Sequence, residues 1–320
     1  MNKLKKVGLT ALGTVLVSAG AANAASMSVS GGTSLFFNGE DNSNMGNGWA
    51  MTDSLSFTAS GDMDNGWNIS TTLEVDGNTM DDRSITIDTG EMGKITFSGS
   101  GTSGPIGAWD DLTPTANEEA HGTAVSGTAD GPVNGASTAN SFIYDKDLGD
   151  FVEGLAVKAA YTPSATTTKV NSSTEYGVSY TNGGFSANLA MGENNDQIST
   201  GTQGSGKIDN SVFYVGYSMD NGLKVGYQVN ENDSATANED EDFTAIGISY
   251  AVSDDVSISY NISEIDYEAS TLGDQEAQGI SASITNGGMT ISGTYSTVDN
   301  TAGTTTADNT GYELNIAFAF

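Results

Sequence analysis

The sequence of 320 residues contains no cysteine and only one histidine. Without cysteine the chain has neither a disulfide framework nor thiol chemistry. Protein zinc sites commonly use several His or Cys ligands, so one histidine argues against them. No Ser-centred nucleophile elbow occurs, and His121, which follows Glu118 and Glu119, is more typical of an incidental polar loop residue than of a general base. We therefore expect no enzyme, no metal site and no required cofactor, although composition leaves an acid-only catalytic pair open.

Basic residues are also scarce. Lys and Arg number 10 against 41 Asp and Glu, and Arg83 is the single arginine. Because proteins bind phosphate backbones through Lys and Arg, nucleic acid is excluded as a partner. Such an acidic composition also occurs in disordered chains. Here, however, aromatic and β-branched residues recur with period two, which indicates folded β-strands.

Long apolar runs are confined to the start of the chain. Lys3, Lys5 and Lys6 precede an apolar stretch over residues 7–20, and small residues surround position 24. This is the pattern of a secretory signal peptide over residues 1–24, with residues 25–320 as one mature domain. Beyond it, no window reaches the roughly 20 apolar residues of a transmembrane helix. If the exported chain enters a membrane, it must do so as a closed β-barrel, because lipid offers no partners for unpaired backbone groups.

The final nine residues alternate without a break. One face carries Tyr312, Leu314, Ile316, Phe318 and Phe320, and the other carries Glu313, Asn315 and two alanines. A strand with period two presents one apolar and one wetter face. This favours the closing strand of a transmembrane barrel over a strand of a soluble β-sandwich, because the polar faces of other strands are also rich in Ser, Asn and Gly.

Turn signals divide the chain into sixteen strands. Seven connections are short and many carry Asn-Gly or Asp-x-Gly chemistry, at residues 62–66, 90–93, 147–154, 182–184, 220–222, 253–255 and 286–288. Eight are longer, at about residues 38–50, 77–82, 102–139, 164–172, 194–209, 232–241, 268–276 and 299–308. The predicted fold is an all-β, antiparallel, sixteen-stranded transmembrane barrel with short turns at one end and long loops at the other. The last strand should close against residues 29–37.

The sequence resembles the general diffusion porins of Gram-negative bacteria, particularly those of α-proteobacteria. The resemblance rests on the signal peptide, the alternating strands, the long third loop and the terminal Phe320. It implies a homotrimer in the outer membrane, in contact with lipid and lipopolysaccharide, whose third loop folds into each pore. It also implies that the assembly machinery of that membrane reads Phe320 as a signal. Small hydrophilic solutes would then pass by passive diffusion.

The third loop, residues 102–139, is the most informative internal segment. Its 38 residues exceed the roughly 12–15 beyond which structureless loops are uncommon, so it is functional or disordered. Pro105, Ile106 and Trp109 near its start favour packing against the inside of the barrel. An extracellular solvated loop is the alternative interpretation. In the first case its acids narrow and charge the pore. They are Asp110, Asp111, Glu118, Glu119 and Asp130.

Few basic residues are available to face these acids. Strand parity directs Lys94, Lys158 and Lys224 into the lumen, together with Glu74 and Glu313 as further residues of the pore wall. Each lysine has a local alternative partner such as Glu74 or Asp76. Arg83 shares the parity of Ile85 and Ile87, which favours a position at the outer rim. Without the basic cluster that the resemblance implies, carboxylates should dominate and favour cations.

Other interpretations stay open. The acidic run at residues 239–242 offers oxygen ligands for Ca²⁺ or for ions that bridge lipopolysaccharide, but it is equally typical of a solvated loop. A surface structural or adhesive barrel without a conducting pore would share most of the sequence pattern. A ligand-specific channel would need an inward track of aromatic or arginine side chains, which the assigned positions do not show.

Overall fold

In a computed structural model of the protein, the described residues are 26–41, 48–122, 135–136, 138–163, 172–195 and 207–320. They form sixteen strands in one closed barrel in which every strand pairs with its sequence neighbours and the first strand pairs with the last. The prediction of an antiparallel sixteen-stranded barrel is confirmed. The predicted signal peptide and Asp130 lie outside the described residues.

The strands are β1 Ser26–Glu40, β2 Trp49–Asp62, β3 Asn68–Asp76, β4 Thr79–Asp88, β5 Lys94–Ser100, β6 Ser141–Asp147, β7 Leu155–Thr162, β8 Ser173–Asn182, β9 Phe185–Asn194, β10 Ile208–Ser218, β11 Leu223–Ser234, β12 Glu241–Ala251, β13 Val256–Tyr267, β14 Gln275–Asn286, β15 Met289–Asp299 and β16 Asn309–Ala319.

The seam between the first and last strands closes the barrel. Its register runs from Gly32 opposite Ala319 to Glu40 opposite Gly311, which is about three residues beyond the predicted partner segment 29–37. Phe320 extends the ladder, because its N–H donates to the Gly31 carbonyl at 2.9 Å and its carbonyl accepts the Gly31 N–H at 3.0 Å. The terminal residue is therefore part of the closure.

The two faces of the wall differ as the alternation predicts. On β13, the outward Ile258, Tyr260 and Ile262 are between 40% and 47% exposed, whereas the inward Asn261 and Ser263 are buried. The same outward apolar band continues over neighbouring strands. A structure of this kind buries little in a central core, because most large apolar side chains face outward. Among the described residues, no helix has the length and apolar character needed to cross a membrane.

Short turns and long loops lie at opposite ends of the barrel, here called the turn end and the loop end. All seven predicted short turns occur within about one residue of their expected positions. Gly183 and Gly287 adopt φ values of 58° and 61° in two of them, a conformation that glycine reaches without steric cost. The turns therefore follow the local chemistry of the chain.

One predicted loop is wrong. Residues 77–82 do not form a long connection, since only Gly77 and Asn78 separate β3 from β4. Thr79 and Met80 already pair with Asp76 and Val75, and a register shift follows in the same hairpin. The polar composition of residues 79–82 resembles a loop, but backbone pairing does not require apolar side chains at the end of a strand.

The two faces predict opposite responses to a new charge. Ile280 lies on the outward face of β14, between Tyr260 and Tyr295 of the adjacent strands. Ile280→Lys should destabilise the barrel by about 2–4 kcal/mol, the cost of a lysine at the lipid midplane. Urea unfolding in lipid vesicles measures this cost. The matched variant Ser283→Lys, on the inward face of the same strand, should change stability much less; equal losses would contradict the assigned faces.

Candidate functional site

The third loop begins as a short helix, α1 Pro105–Trp109, held inside the barrel wall. Glu175 of β8 anchors its start by accepting the Ile106 N–H at 3.1 Å, and it also accepts the Ala136 N–H. Ile106 packs on Ala190 and Val212, which face inward from β9 and β10. Pro105 supplies a fixed φ at the first helical position, where no hydrogen bond is lost. The start of the loop is thus tied to β8–β10.

The middle of the loop is bound through its backbone. Gln228 of β11 donates to the Trp109 carbonyl at 2.7 Å and accepts the Leu112 N–H at 3.1 Å. Asn230 donates to the Asp110 carbonyl at 2.8 Å. Farther along, Asn261 of β13 donates to the Pro114 carbonyl at 3.1 Å. These amide side chains replace the partners that a loop usually finds in water.

The far end of this segment reaches the closing strand. The Asn117 amide nitrogen donates to Glu313 at 2.9 Å and to Thr294 at 2.8 Å. Its oxygen accepts from Ser292 at 2.6 Å. The hydrogen bonds of residues 106–117 to the wall therefore extend from β8 to β16. Glu313 faces the lumen but serves as an attachment point for the loop.

Glycines in the wall let the loop backbone come close. A Cβ on Gly226 would lie 2.5 Å from Pro114 Cδ, and one on Gly247 would lie 2.9 Å from Pro114 N. A Cβ on Gly279 would lie 3.2 Å from Ala120 Cα. These three inward glycines, on β11, β12 and β14, form a docking track for the loop. Their role is close approach, which any side chain would obstruct.

The following residues are packed rather than solvated. Ala120 is fully buried against Ala277 and Val298. His121 is also buried, with its ring edge-on to Phe243 at a centroid distance of 5.0 Å. The expectation that His121 is an incidental polar loop residue is therefore wrong. It is an aromatic contact between the loop and β12.

The structure brings the four described candidate acids of the loop into one neighbourhood. Burial and the adjacent Asp111 raise the pKa of Asp110 to about 6. Burial, Asp111 and Glu118 raise the pKa of Glu119 to about 8. Asp111 and Glu118 are more exposed, and Asp111 Oδ1 lies 3.8 Å from His121 Nε2. At neutral pH the cluster therefore carries less charge than its four carboxyl groups suggest.

The wall across the barrel from the loop is lined by hydroxyl groups. Thr58 and Thr72 bridge β2 and β3 at 3.4 Å, and Thr86 and Thr96 bridge β4 and β5 at 2.9 Å. Glu74 is part of the same wall and accepts a hydrogen bond from the Ser54 hydroxyl. Counted by strand order, β4 is opposite β12, the centre of the arc that holds the loop.

The three inward lysines do not form a cluster. Lys94 lies 3.5 Å from Asp88, and Lys158 lies 3.1 Å from Asp145. Their partners are therefore not the Glu74 or Asp76 considered from the sequence. Lys224 is next to the first residue of β11, at the turn end, opposite serines on both neighbouring strands.

Arg83 points away from the lumen. In the register it is opposite Leu73, and both share the outward face with Ile85. It therefore has the outer position that parity favours. Among the described residues, no arginine lies on the inner wall.

Among the described residues, one cluster of three carboxylates satisfies the distances of a metal site. Glu264, Asp266 and Asp274 place oxygen atoms within 4.8 Å of one another, all on exposed side chains at the loop end. In the acidic run at residues 239–242, the Asp240 carboxylate accepts the Ser234 N–H at 2.7 Å. Exposed acidic groups are common without an ion, so the arrangement allows Ca²⁺ without requiring it.

Sequence reasoning missed the residues that hold the loop. Gln228 and Asn230 share the inward parity of Lys224, but parity gives no reason to separate them from other polar residues of the lumen. Glu175 was not singled out, although it is almost fully buried. An inward amide or carboxylate beside an inward glycine, as at Gly226 and Gly177, is the signal that could have found them.

Most of the chain is similar to a known protein family. A family model described as Gram-negative porin matches residues 8–271. No curated protein sequence matches the chain. Similar solved structures include the anion-selective porin of Comamonas acidovorans, with 14% identity, a TM-score of 0.64 and coverage of 93% of this chain and 100% of that one.

Two other solved structures are similar to the same extent. The trimer form of in-vitro folded OmpT from Vibrio cholerae has 13% identity, a TM-score of 0.65 and coverage of 93% and 100%. A triple mutant of the Rhodopseudomonas blastica porin has 13% identity, a TM-score of 0.63 and coverage of 92% and 100%. At such low identity, the likeness to solved structures shows the fold alone.

The docking track predicts that wall glycines control the position of the loop. Gly247→Val should push Pro114 away from β12, at a cost of about 1–3 kcal/mol for overpacking, and lower conductance by moving the loop toward the axis. Single-channel recording measures the change, and limited proteolysis of the loop reports its release. Ser56→Val, at an inward position of β2, is the control. Unchanged conductance in Gly247→Val would contradict tight docking.

Proposed function

Because this chain belongs to the Gram-negative porin family, we propose that its lumen passes small hydrophilic solutes and ions by passive diffusion, with a preference for cations. Porin membership confirms the resemblance noted in the sequence. Together with the closed barrel, it implies an outer-membrane channel. The observation that supports the finer proposal is the acidic third loop, attached along β8–β16 and facing a wall of hydroxyl groups.

Cation preference follows from the distribution of charge. Asp111 and Glu118 have exposed side chains on the loop, while Lys158 is paired with Asp145 and Lys224 lies at the turn end. A narrow passage lined by one sign of charge raises the local concentration of the opposite ion. Charged side chains at a constriction thereby set selectivity. The constriction is proposed to lie between these acids and the hydroxyl-lined wall.

The fold itself does not decide selectivity. The similar porin of Comamonas acidovorans is described as anion-selective, although it covers nearly the same length of chain. The preference proposed here therefore depends on the loop acids of this chain and on its shortage of inward basic groups.

The proposed assembly is a homotrimer. The similar OmpT structure from Vibrio cholerae is a trimer form, which supports this proposal. Outer-membrane lipid and lipopolysaccharide are the proposed surroundings of the apolar band. Phe320, which is 75% exposed at the end of the seam, is the proposed signal for the assembly machinery. No catalytic step and no cofactor are assigned, and Ca²⁺ at the acidic loops is proposed only as an accessory ion.

Planar-bilayer recording tests the channel proposal. The full chain should insert and open in groups of three equal steps, one for each barrel of a trimer. Asp111→Asn with Glu118→Gln should move the reversal potential in a KCl gradient toward that of an unselective pore. A folded, membrane-inserted but silent protein would favour the structural or adhesive alternative instead.

Selectivity should depend on pH in a defined direction. The pKa of Asp110 is raised to about 6 and that of Glu119 to about 8, so both groups are neutral in acid and gain charge as pH rises. The cation preference should increase between about pH 5 and pH 9, because a carboxyl group ionises as pH passes its pKa. Reversal potentials across this range measure the effect.

The same shift has a consequence for the docked loop. A raised folded-state pKa stabilises the fold below the ordinary carboxyl pKa, and this contribution is lost as pH rises through the folded value. Docking of Glu119 should therefore weaken progressively as pH rises from the ordinary carboxyl range to about 8, and change little above that pH. Glu119→Gln should remove the upper part of the pH response and Asp110→Asn the lower part. If neither variant alters the dependence of the reversal potential on pH, the assignment of this dependence to Asp110 and Glu119 is contradicted.

A further inference from the structure

A row of alternating charges crosses the inner wall near the turn end. Asp88 is opposite Lys94, Lys94 is opposite Asp145, and Asp145 is opposite Lys158, on the consecutive strands β4 to β7. These four residues are called the charge row. Neighbouring strands lie about 4.8 Å apart, so the row extends over about 14 Å. With two aspartates and two lysines, the row is neutral overall.

The row borders a cavity with one aromatic wall. The cavity has a volume of about 510 Å³ and is lined by all four members of the charge row, by Trp109 and by four further charged residues, Glu91, Lys146, Asp147 and Asp150. This volume lies within the roughly 300–1,000 Å³ of small-molecule pockets. Trp109 is held by the third loop, and its ring lies against Gly177, which is in turn opposite Lys158. Only a residue without a side chain leaves space there for the indole.

The two ion pairs of the row differ in strength. Lys158 has a side chain only 17% exposed and contacts Asp145 at 3.1 Å, so it is a fixed part of the wall. Lys94 is 57% exposed and lies 3.5 Å from Asp88, which is longer than an ordinary hydrogen bond. Asp88, Lys94 and Asp145 therefore present a negative, a positive and a negative group that an incoming solute can engage.

We propose that this cavity is a binding subsite for small zwitterionic solutes of the amino acid and betaine type. A solute with a single charge is attracted by the groups of opposite sign in the row and repelled by the neighbouring groups of the same sign. A zwitterion can place its carboxylate on Lys94 and its ammonium on Asp88 or Asp145, so both of its charges are complemented. The Trp109 ring can receive the alkyl part or the cationic group, as aromatic rings do for quaternary ammonium ions.

The subsite deepens the proposed channel function and rests on it, because solutes must reach the cavity through the lumen. Binding there would raise the local concentration of zwitterions in the passage. Their flux would then saturate as the subsite fills, whereas simple diffusion stays linear in concentration. This difference separates a lumen with a subsite from a lumen that is merely wide enough.

Flux into proteoliposomes that contain the full-length protein tests the proposal. Labelled L-alanine and glycerol, which are similar in size, are compared over a range of concentrations. The L-alanine flux should saturate and should fall when excess glycine betaine is added, while the glycerol flux stays linear. The double variant Asp88→Asn with Lys94→Gln, which leaves net charge unchanged, should reduce the alanine-to-glycerol flux ratio at low concentration about fivefold.

A matched control removes a different ion pair. Lys207 and Asp209 lie 3.1 Å apart at the loop end, so Lys207→Gln with Asp209→Asn also leaves net charge unchanged. This control should keep the wild-type flux ratio. If the first double variant does not fold, the subsite is tested by saturation and betaine competition in the wild type and by the variant Trp109→Leu. This variant should also reduce the alanine-to-glycerol flux ratio, and an unchanged ratio would contradict the subsite.

The outcomes separate the two proposals. A conducting protein whose alanine flux is linear and unaffected by betaine overturns the subsite and leaves the channel intact. An unchanged flux ratio in Asp88→Asn with Lys94→Gln also overturns the subsite and leaves the channel intact. The charge row would then have a structural role only. A protein that conducts no ions overturns the proposed channel function itself.

Discussion

Backbone pairing around a closed sheet is the constraint on which this structure depends. A membrane offers no water to unpaired N–H and C=O groups, so every strand needs two neighbours and the first must meet the last. The seam between β1 and β16 meets this requirement up to the final residue, where Phe320 still exchanges two hydrogen bonds with Gly31. Closure also separates the two faces of each strand, because one side must then face lipid and the other the interior. The lumen and its contents follow from that separation.

The third loop solves the same problem inside the barrel. It leaves the wall after β5 and carries backbone groups into the lumen, where α1 is the only regular secondary structure among its described residues. Glu175, Gln228, Asn230 and Asn261 supply the missing partners. Inward glycines bring the loop backbone close enough for these bonds. Polar attachment and close approach thus act together.

The sequence alone was enough to predict the sixteen strands and the parity of each face, because periodicity and turn chemistry are local. Some of its failures involve distant partners, and others are local. Leu112 and Gln228 are 116 residues apart, and no local pattern joins them. Residues 79–82 were mistaken for loop because polar side chains can still pair through the backbone. The lysine partners Asp88 and Asp145 lie across short turns from Lys94 and Lys158, so these pairs were within reach of a register argument that was not made.

The attachments of the third loop are asymmetric in chemical type. On the wall they are side chains such as Gln228, Asn230 and Asn261, whereas on the loop they are mostly backbone groups of Trp109, Asp110, Leu112 and Pro114. Every residue type except proline has the same backbone donor and acceptor. Substitutions at the exposed loop positions can therefore change the charge of the passage without detaching the loop, while the amides of the wall are not free to vary. Selectivity in such a barrel can diverge between descendants while the architecture that presents it is inherited unchanged.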